Sequence, residues 1–208
     1  MTVAANFIDN IEYPRTFFRF RKYVNADIDK LLSEFRNRIT KGLHLGAGSS
    51  KLPGLLNCDL FNPEADLKVD ATNLGMFDDE SIDLIESHHM IEHLSFSETE
   101  RALSEWRRVL RPRGLLVITC PDILRICLQW FKYSSIYPLF PCPEKIDYMV
   151  KTLVGSQERE GEFHKNAFDI RRMSRLLSKY GFKIEFTFSP YPLRPTPSML
   201  VIARKTNP

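Results

Sequence analysis

Three short features in the first third of the chain could together grip one ligand. In Leu43-His-Leu-Gly-Ala-Gly-Ser49 an apolar run ends in Gly46-Ala47-Gly48. A strand ending this way puts a sharp turn at the carboxyl edge of a sheet, where absent side chains let a ligand approach the backbone. Asp59 closes a second apolar run, a short step from that turn. Its carboxylate can accept from both hydroxyls of a ribose, in charge-assisted bonds worth about 1.5–3 kcal/mol each. Asp70 holds the same place after a third run, followed by Ala71-Thr72. It can accept from an adenine amino group while a neighbouring backbone N–H meets the ring. Each aspartate alone reads as an ordinary turn former, but three such features at successive strand ends are harder to dismiss.

A dinucleotide is disfavoured. Lys51 stands where a G-x-G-x-x-G fingerprint needs its third glycine. Only Ser49 to Gly54 separates the turn from the next strand, too little for the helix N-terminus that cradles a pyrophosphate. A ligand without phosphates fits better.

The next reactive residues are His88, His89, Glu92 and His93, expected at the start of a helix after the fourth strand. On that helix His89 and His93 would share one face, as would His88 and Glu92. Imidazoles at such an edge are candidate general bases, and His89 and His88 are the first choices. His164, in Phe163-His-Lys165, is a third if its loop folds over the pocket. Without the H-E-x-x-H order or a third nearby ligand, no metal is expected.

The elements that must position these residues follow a β/α alternation. An amphipathic helix over 26–39 carries Ile28, Leu31, Leu32, Phe35 and Ile39, with Asn25 or Asp27 as cap. Strands follow at Leu43–Leu45, Leu55–Asp59, Ala65–Val69, Ile82–Glu86 and Leu115–Thr119. Ser97-Glu-Thr-Glu100 matches a capping box for a helix with Ala102, Leu103, Trp106, Val109 and Leu110 on one face. Residues 133–165 read as an insertion, a lid or substrate-shaping element containing a helix over 144–154. Asp169 caps the last helix and Gly181 ends it. Strands 183–188 and 199–204, with no helix between them, must pair antiparallel if adjacent. The fold class expected is α/β, a Rossmann-like three-layer sandwich whose mostly parallel sheet ends in an antiparallel C-terminal hairpin.

At 208 residues the chain suits a single domain over 1–208, with 1–41 as a basic, aromatic segment plus helix. The net charge of +3 does not argue for nucleic acid. The run Arg15–Lys22 interleaves basic residues with Phe17, Phe18 and Phe20. It could meet an anionic acceptor, dock over the sheet edge or make a subunit contact, so a homodimer stays open. Cys58, Cys120, Cys127 and Cys142 form no C-x-x-C pair. Polar residues Asn6, Asp9, Asn10 and Glu12 interrupt the N-terminal apolar residues, and no eighteen apolar residues run together. Reduced thiols, no membrane span and a cytoplasmic location are the expectations.

The segments LHLGAGSSKLPGLLNCDL, LKVDATNLGMFDDESIDLIESHHMIEHL and ALSEWRRVLRPRGLLVITCPD, from about 42 to 123, resemble the class I S-adenosylmethionine-dependent methyltransferases. The nearest likeness is to the type 11 domain and a compact bacterial methyltransferase family. That resemblance implies S-adenosylmethionine as cofactor. Gly46, Ala47 and Gly48 would face its methionine part. Asp59 with Leu60 would hold the ribose, Asp70 with Ala71 the adenine, and Ser87 and His88 would line the pocket. Two departures stand out: His44 replaces the acidic residue common before the glycine turn, and the first crossover helix is nearly deleted. A small-molecule acceptor, a hydroxyl of a sugar or secondary metabolite, is expected. A nucleic-acid substrate is disfavoured because Ser87-His-His-Met90 stands where an N/D-P-P-[YF] tetrad would. A non-catalytic S-adenosylmethionine-binding module and a nicotinamide oxidoreductase are competing readings of the same fold.

Overall fold

The computed structural model describes residues 30, 32–136, 143–191 and 197–207. The run Arg15–Lys22, Ile28, Leu31, the proposed caps Asn25 and Asp27, Cys142 and part of the insertion lie outside these residues. A helical segment over 32–36 (α1) leads into β1 (Gly42–Leu45), β2 (Leu56–Asp59), β3 (Leu67–Lys68) and β4 (Ile82–His88). Then come a 3₁₀ turn (Ile91–His93), α2 (Phe96–Val109), β5 (Leu110–Pro121), α3 (Ile123–Ile136) and α4 (Pro143–Val154). The chain closes with α5 (Ile170–Lys179), β6 (Phe182–Tyr191) and β7 (Ser198–Lys205).

All seven strands form one sheet in the order β3-β2-β1-β4-β5-β7-β6. The pairs from β3 to β5 are parallel, and β7 runs antiparallel to both β5 and β6. This is the Rossmann-like arrangement expected, with the last strand inserted inside the hairpin edge. Two apolar layers flank the sheet. On one face Leu43, Leu45, Ile85, Leu116 and Ile118 pack with Trp106, Met173 and Leu177 of α2 and α5. On the other, Leu84, Leu115, Val117, Leu200 and Ile202 meet Leu32, Phe35 and Ile39.

The parallel pair β1–β2 is joined by 46–55 without a helix. Parallel neighbours normally need a helical crossover, which also covers a sheet face. Here α1, arriving before the sheet, supplies that cover.

Three local expectations shift. Helix α2 starts two residues early: Ser95, not Ser97, accepts from the Glu98 N–H, and Glu98 reaches back to the Ser95 N–H. Both serines fit S-x-x-E, but the chain leaves the 3₁₀ turn extended at Leu94, so Ser95 meets the first free donors. Strand β5 runs to Pro121 because β7 pairs with it throughout Leu115–Pro121. And no helix follows β4 directly: His88 is its last residue, and His89 takes φ 53°. The predicted helix-face pairs His89/His93 and His88/Glu92 therefore do not form. Asp169 does cap α5, accepting from the Arg172 N–H at 2.6 Å, and Gly181 ends it at φ 73°.

Candidate active site

The sheet order reverses at β1, whose neighbours are β2 on one side and β4 on the other. The carboxyl ends of β1 and β4 thus border a crevice, the usual ligand position in open α/β sheets. Gly46 and Gly48 lie there with φ 70° and 52°, a region costing an L side chain about 1–2 kcal/mol. A Cβ on Gly46 would meet Met90 Cγ at 2.2 Å, whereas one on Gly48 would meet nothing within 4 Å. Met90 therefore backs the turn, and Gly48 faces open space.

The turn is tied to β2. The N–H groups of Gly46 and Ala47 donate to Cys58 O at 2.9 and 3.0 Å. The Gly48 N–H donates to Asp59 Oδ2 at 2.7 Å, and Asn62 Nδ2 donates to Gly48 O. Asp59 Oδ1 accepts from the N–H groups of Phe61 and Asn62, both at 2.8 Å. A carboxylate has about four acceptor positions. Three are engaged, so Asp59 builds the turn and keeps one position on Oδ2 for a ligand. Leu60 beside it is exposed. The exposed Asp70 uses Oδ1 to accept from the Thr72 N–H at 2.8 Å. Ala71 O accepts from Trp106 Nε1 at 2.9 Å, which anchors this loop to α2. An open glycine, a carboxylate with one acceptor to spare and an exposed aspartate, on adjacent strand ends, offer what an adenosine needs.

Ser87 is fully buried, and its hydroxyl has no hydrogen-bond partner among the described residues.

His88 faces the α1 side of the sheet. Its Nε2 lies 2.8 Å from Glu86 Oε2 and its Nδ1 3.0 Å from Thr119 Oγ1. Arg36 closes on the same carboxylate through Nε and Nη2 at 2.6 and 2.7 Å. Burial alone would raise the Glu86 carboxyl, but the hydrogen bonds from His88 and Arg36 outweigh it and hold it below its ordinary value. His44, whose ring centroid is 5.5 Å from that of His88, bonds Asn57 Oδ1 through Nδ1 at 3.0 Å. Its burial lowers its pKa. Sequence reasoning misses this buried polar layer, although two signals point to it. A charged residue sits inside the apolar strand Ile82–Glu86, and an arginine stands beside Phe35 on the helix that packs against it.

His89 stands directly after β4. Its Nε2 lies 3.1 Å from Ser198 Oγ, and its Nδ1 lies 3.2 Å from Glu92 Oε1 without hydrogen-bond alignment. His164 packs edge-on against His93, centroids 4.8 Å apart. Burial lowers its pKa as well. A cleft of about 440 Å³ runs past His164, between Phe96, Leu153, Lys165 and Arg172.

Comparison with known proteins agrees with this frame. Residues 43–118 match the family model of a methyltransferase domain. A S-adenosylmethionine-dependent methyltransferase from Methanosarcina mazei superposes with a TM-score of 0.59 at 18% identity, covering 84% of this chain and 98% of that one. The 1,6-didemethyltoxoflavin-N1-methyltransferase of Burkholderia thailandensis, solved with 1,6-didemethyltoxoflavin and S-adenosylhomocysteine, gives 0.57 at 13% identity over 89% and 80%. A S-adenosylmethionine-dependent methyltransferase from Archaeoglobus fulgidus gives 0.57 at 16% over 89% and 94%. No curated protein sequence matches the chain. No described helix is long and apolar enough to cross a membrane. The matched stretch spans the glycine turn and both strand-end aspartates, so residues 43–118 are similar to a methyltransferase domain, on a fold shared with S-adenosylmethionine-dependent methyltransferases.

Proposed function

We propose that the chain methylates a hydroxyl of a small molecule, such as a sugar or secondary metabolite, with His89 as general base. The observation that carries this reading is the placement of the His89 ring between Glu92 and Ser198 at the carboxyl edge of β4. S-adenosylmethionine brings a methyl on positive sulfur that needs no further activation, so the protein's task is to hold and deprotonate the acceptor. Gly46, Ala47, Gly48, Asp59, Leu60, Asp70 and Ala71 would hold the cofactor. The Glu92 carboxylate beside Nδ1 favours the tautomer with its proton there and leaves the Nε2 lone pair as base. The Ser198 hydroxyl satisfies that lone pair until an acceptor hydroxyl replaces it. His88, engaged at both nitrogens, is assigned to positioning Glu86 and Thr119. The toxoflavin-binding neighbour supports a small acceptor. The thiols of Cys58, Cys120 and Cys127 are all free, which suits a reducing, cytoplasmic setting.

The test is His89→Asn, assayed with a panel of hydroxyl and amine acceptors. Turnover on hydroxyls should fall about 10²-fold or more, while S-adenosylhomocysteine affinity by calorimetry stays unchanged. Wild-type rates in the folded variant would remove His89 as base. Turnover on amines alone would reject the oxygen acceptor.

A further inference from the structure

The second cluster of interest is Glu92, His93 and His164, brought together where the insertion returns to the sheet. One carboxylate oxygen and one ring nitrogen from each histidine lie within 4.8 Å of one another. Glu92 is only 2% exposed, yet neither of its carboxylate oxygens has a hydrogen-bond partner among the described residues. Its one charged neighbour, His89 Nδ1 at 3.2 Å, is not aligned for a hydrogen bond, and a buried carboxylate so poorly satisfied is costly; such groups are normally paired or bound to metal.

The His93 ring is set for a ligand. His93 Nδ1 lies 3.2 Å from Phe163 O, a carbonyl that can only accept, so the proton sits on Nδ1 and Nε2 carries the lone pair. Metal-binding histidines commonly donate their other N–H to a backbone carbonyl, which fixes tautomer and ring direction. The backbone is equally committed: the N–H groups of Lys165 and Asn166 both donate to Glu92 O, at 2.9 and 3.0 Å. Beside the cluster lies a cavity of about 10 Å³, lined by Glu92, Ile126, Thr152, His164 and Asn166. That is room for about one water molecule.

We propose that Glu92, His93 and His164 form a binding site for one divalent transition-metal cation of the zinc type. Two imidazoles and one carboxylate are a donor set that zinc accepts, and three protein ligands leave a fourth position for water. Zinc–ligand bonds of about 2.0–2.1 Å require tetrahedral donors about 3.4 Å apart. The three side chains therefore close by no more than about 1.4 Å from their 4.8 Å limit. The cation clips the returning end of the insertion to the turn after β4. The third ligand, missing from the local spacing around His89 and His93, comes from the far end of the insertion. The site shares Glu92 with the proposed base His89, so it is tested by metal binding and Tm rather than by turnover.

The experiment uses the full chain, stripped with a chelator and titrated with Zn²⁺ against a competing fluorescent chelator, without cofactor. Wild type should bind one equivalent, with Zn²⁺ raising its Tm. Co²⁺ should give the intense visible absorption of a tetrahedral site. His164→Gln and Glu92→Gln should each weaken binding at least tenfold and lose the Tm rise, with circular dichroism confirming that they fold. Absence of stoichiometric Zn²⁺ binding to wild type would overturn the proposal. So would equal affinity in the folded His164→Gln protein, which would place the cation on other groups.

Discussion

Replacing Arg36 by methionine isolates the interaction that holds α1 to the sheet. Glu86 is fully buried, and Arg36, with a side chain only 16% exposed, meets both its oxygens at 2.6 and 2.7 Å. Methionine keeps much of the apolar stem but leaves the carboxylate with His88 as its remaining partner. Breaking a buried pair by removing one partner costs about 3–5 kcal/mol. The lower end applies, because His88 stays in place and the rim of Arg36 reaches solvent. The pH dependence gives an internal check. In wild type the folded Glu86 pKa lies below its unfolded value. Its contribution is complete above the unfolded pKa of about 4.3 and is lost as pH falls through the folded value. In the variant, unrelieved burial raises the folded pKa, so the penalty is greatest near neutrality and shrinks as acidification neutralises the carboxyl. Urea unfolding followed by tryptophan fluorescence at pH 7 and pH 5 measures both. A loss under about 1 kcal/mol at pH 7, or one that grows on acidification, would refute a buried, charge-compensated Glu86.

Asp59→Asn should lower S-adenosylhomocysteine affinity by about 1.5–3 kcal/mol, roughly tenfold to a hundredfold. It should also loosen the glycine turn, visible as faster amide exchange at Gly48; unchanged affinity would remove Asp59 from the site. Gly46→Ala and Gly48→Ala should separate: the first drives a methyl into Met90 and chiefly lowers Tm, while the second meets open space and chiefly weakens cofactor binding. Equal losses of both properties in the two variants would contradict the assigned faces. His89→Asn and the zinc titration complete the set.

The parts of the site legible in the sequence were those set by short-range pattern. Apolar runs ending in glycine or aspartate announce strand ends, and the parallel order then brings Gly48 and Asp59 together at 2.7 Å. The histidines were legible as residue types but not as geometry. A helical spacing was the natural reading of His88 to His93, but His89 turns left-handed and sends its ring away from His88. Its partner Ser198 stands 109 residues onward and arrives only because β7 slips between β5 and β6. His164 likewise meets Glu92 through the path of an insertion whose return no local pattern encodes. The Arg36–Glu86 pair was hidden for another reason. Each residue taken singly suited a solvated helix face or a strand end, and only their packing across the sheet turns them into one buried unit.

The absence of a helix between β1 and β2 bears on how this protein can be trimmed. A cover that arrives from before the first strand cannot be removed without baring that face of the sheet. Here, a shortened version starting at Gly42 would expose Leu84, Val117 and Ile202 and strand an anion in oil. The smallest autonomous unit must therefore begin upstream of Leu32, although the matched methyltransferase domain begins only at Leu43.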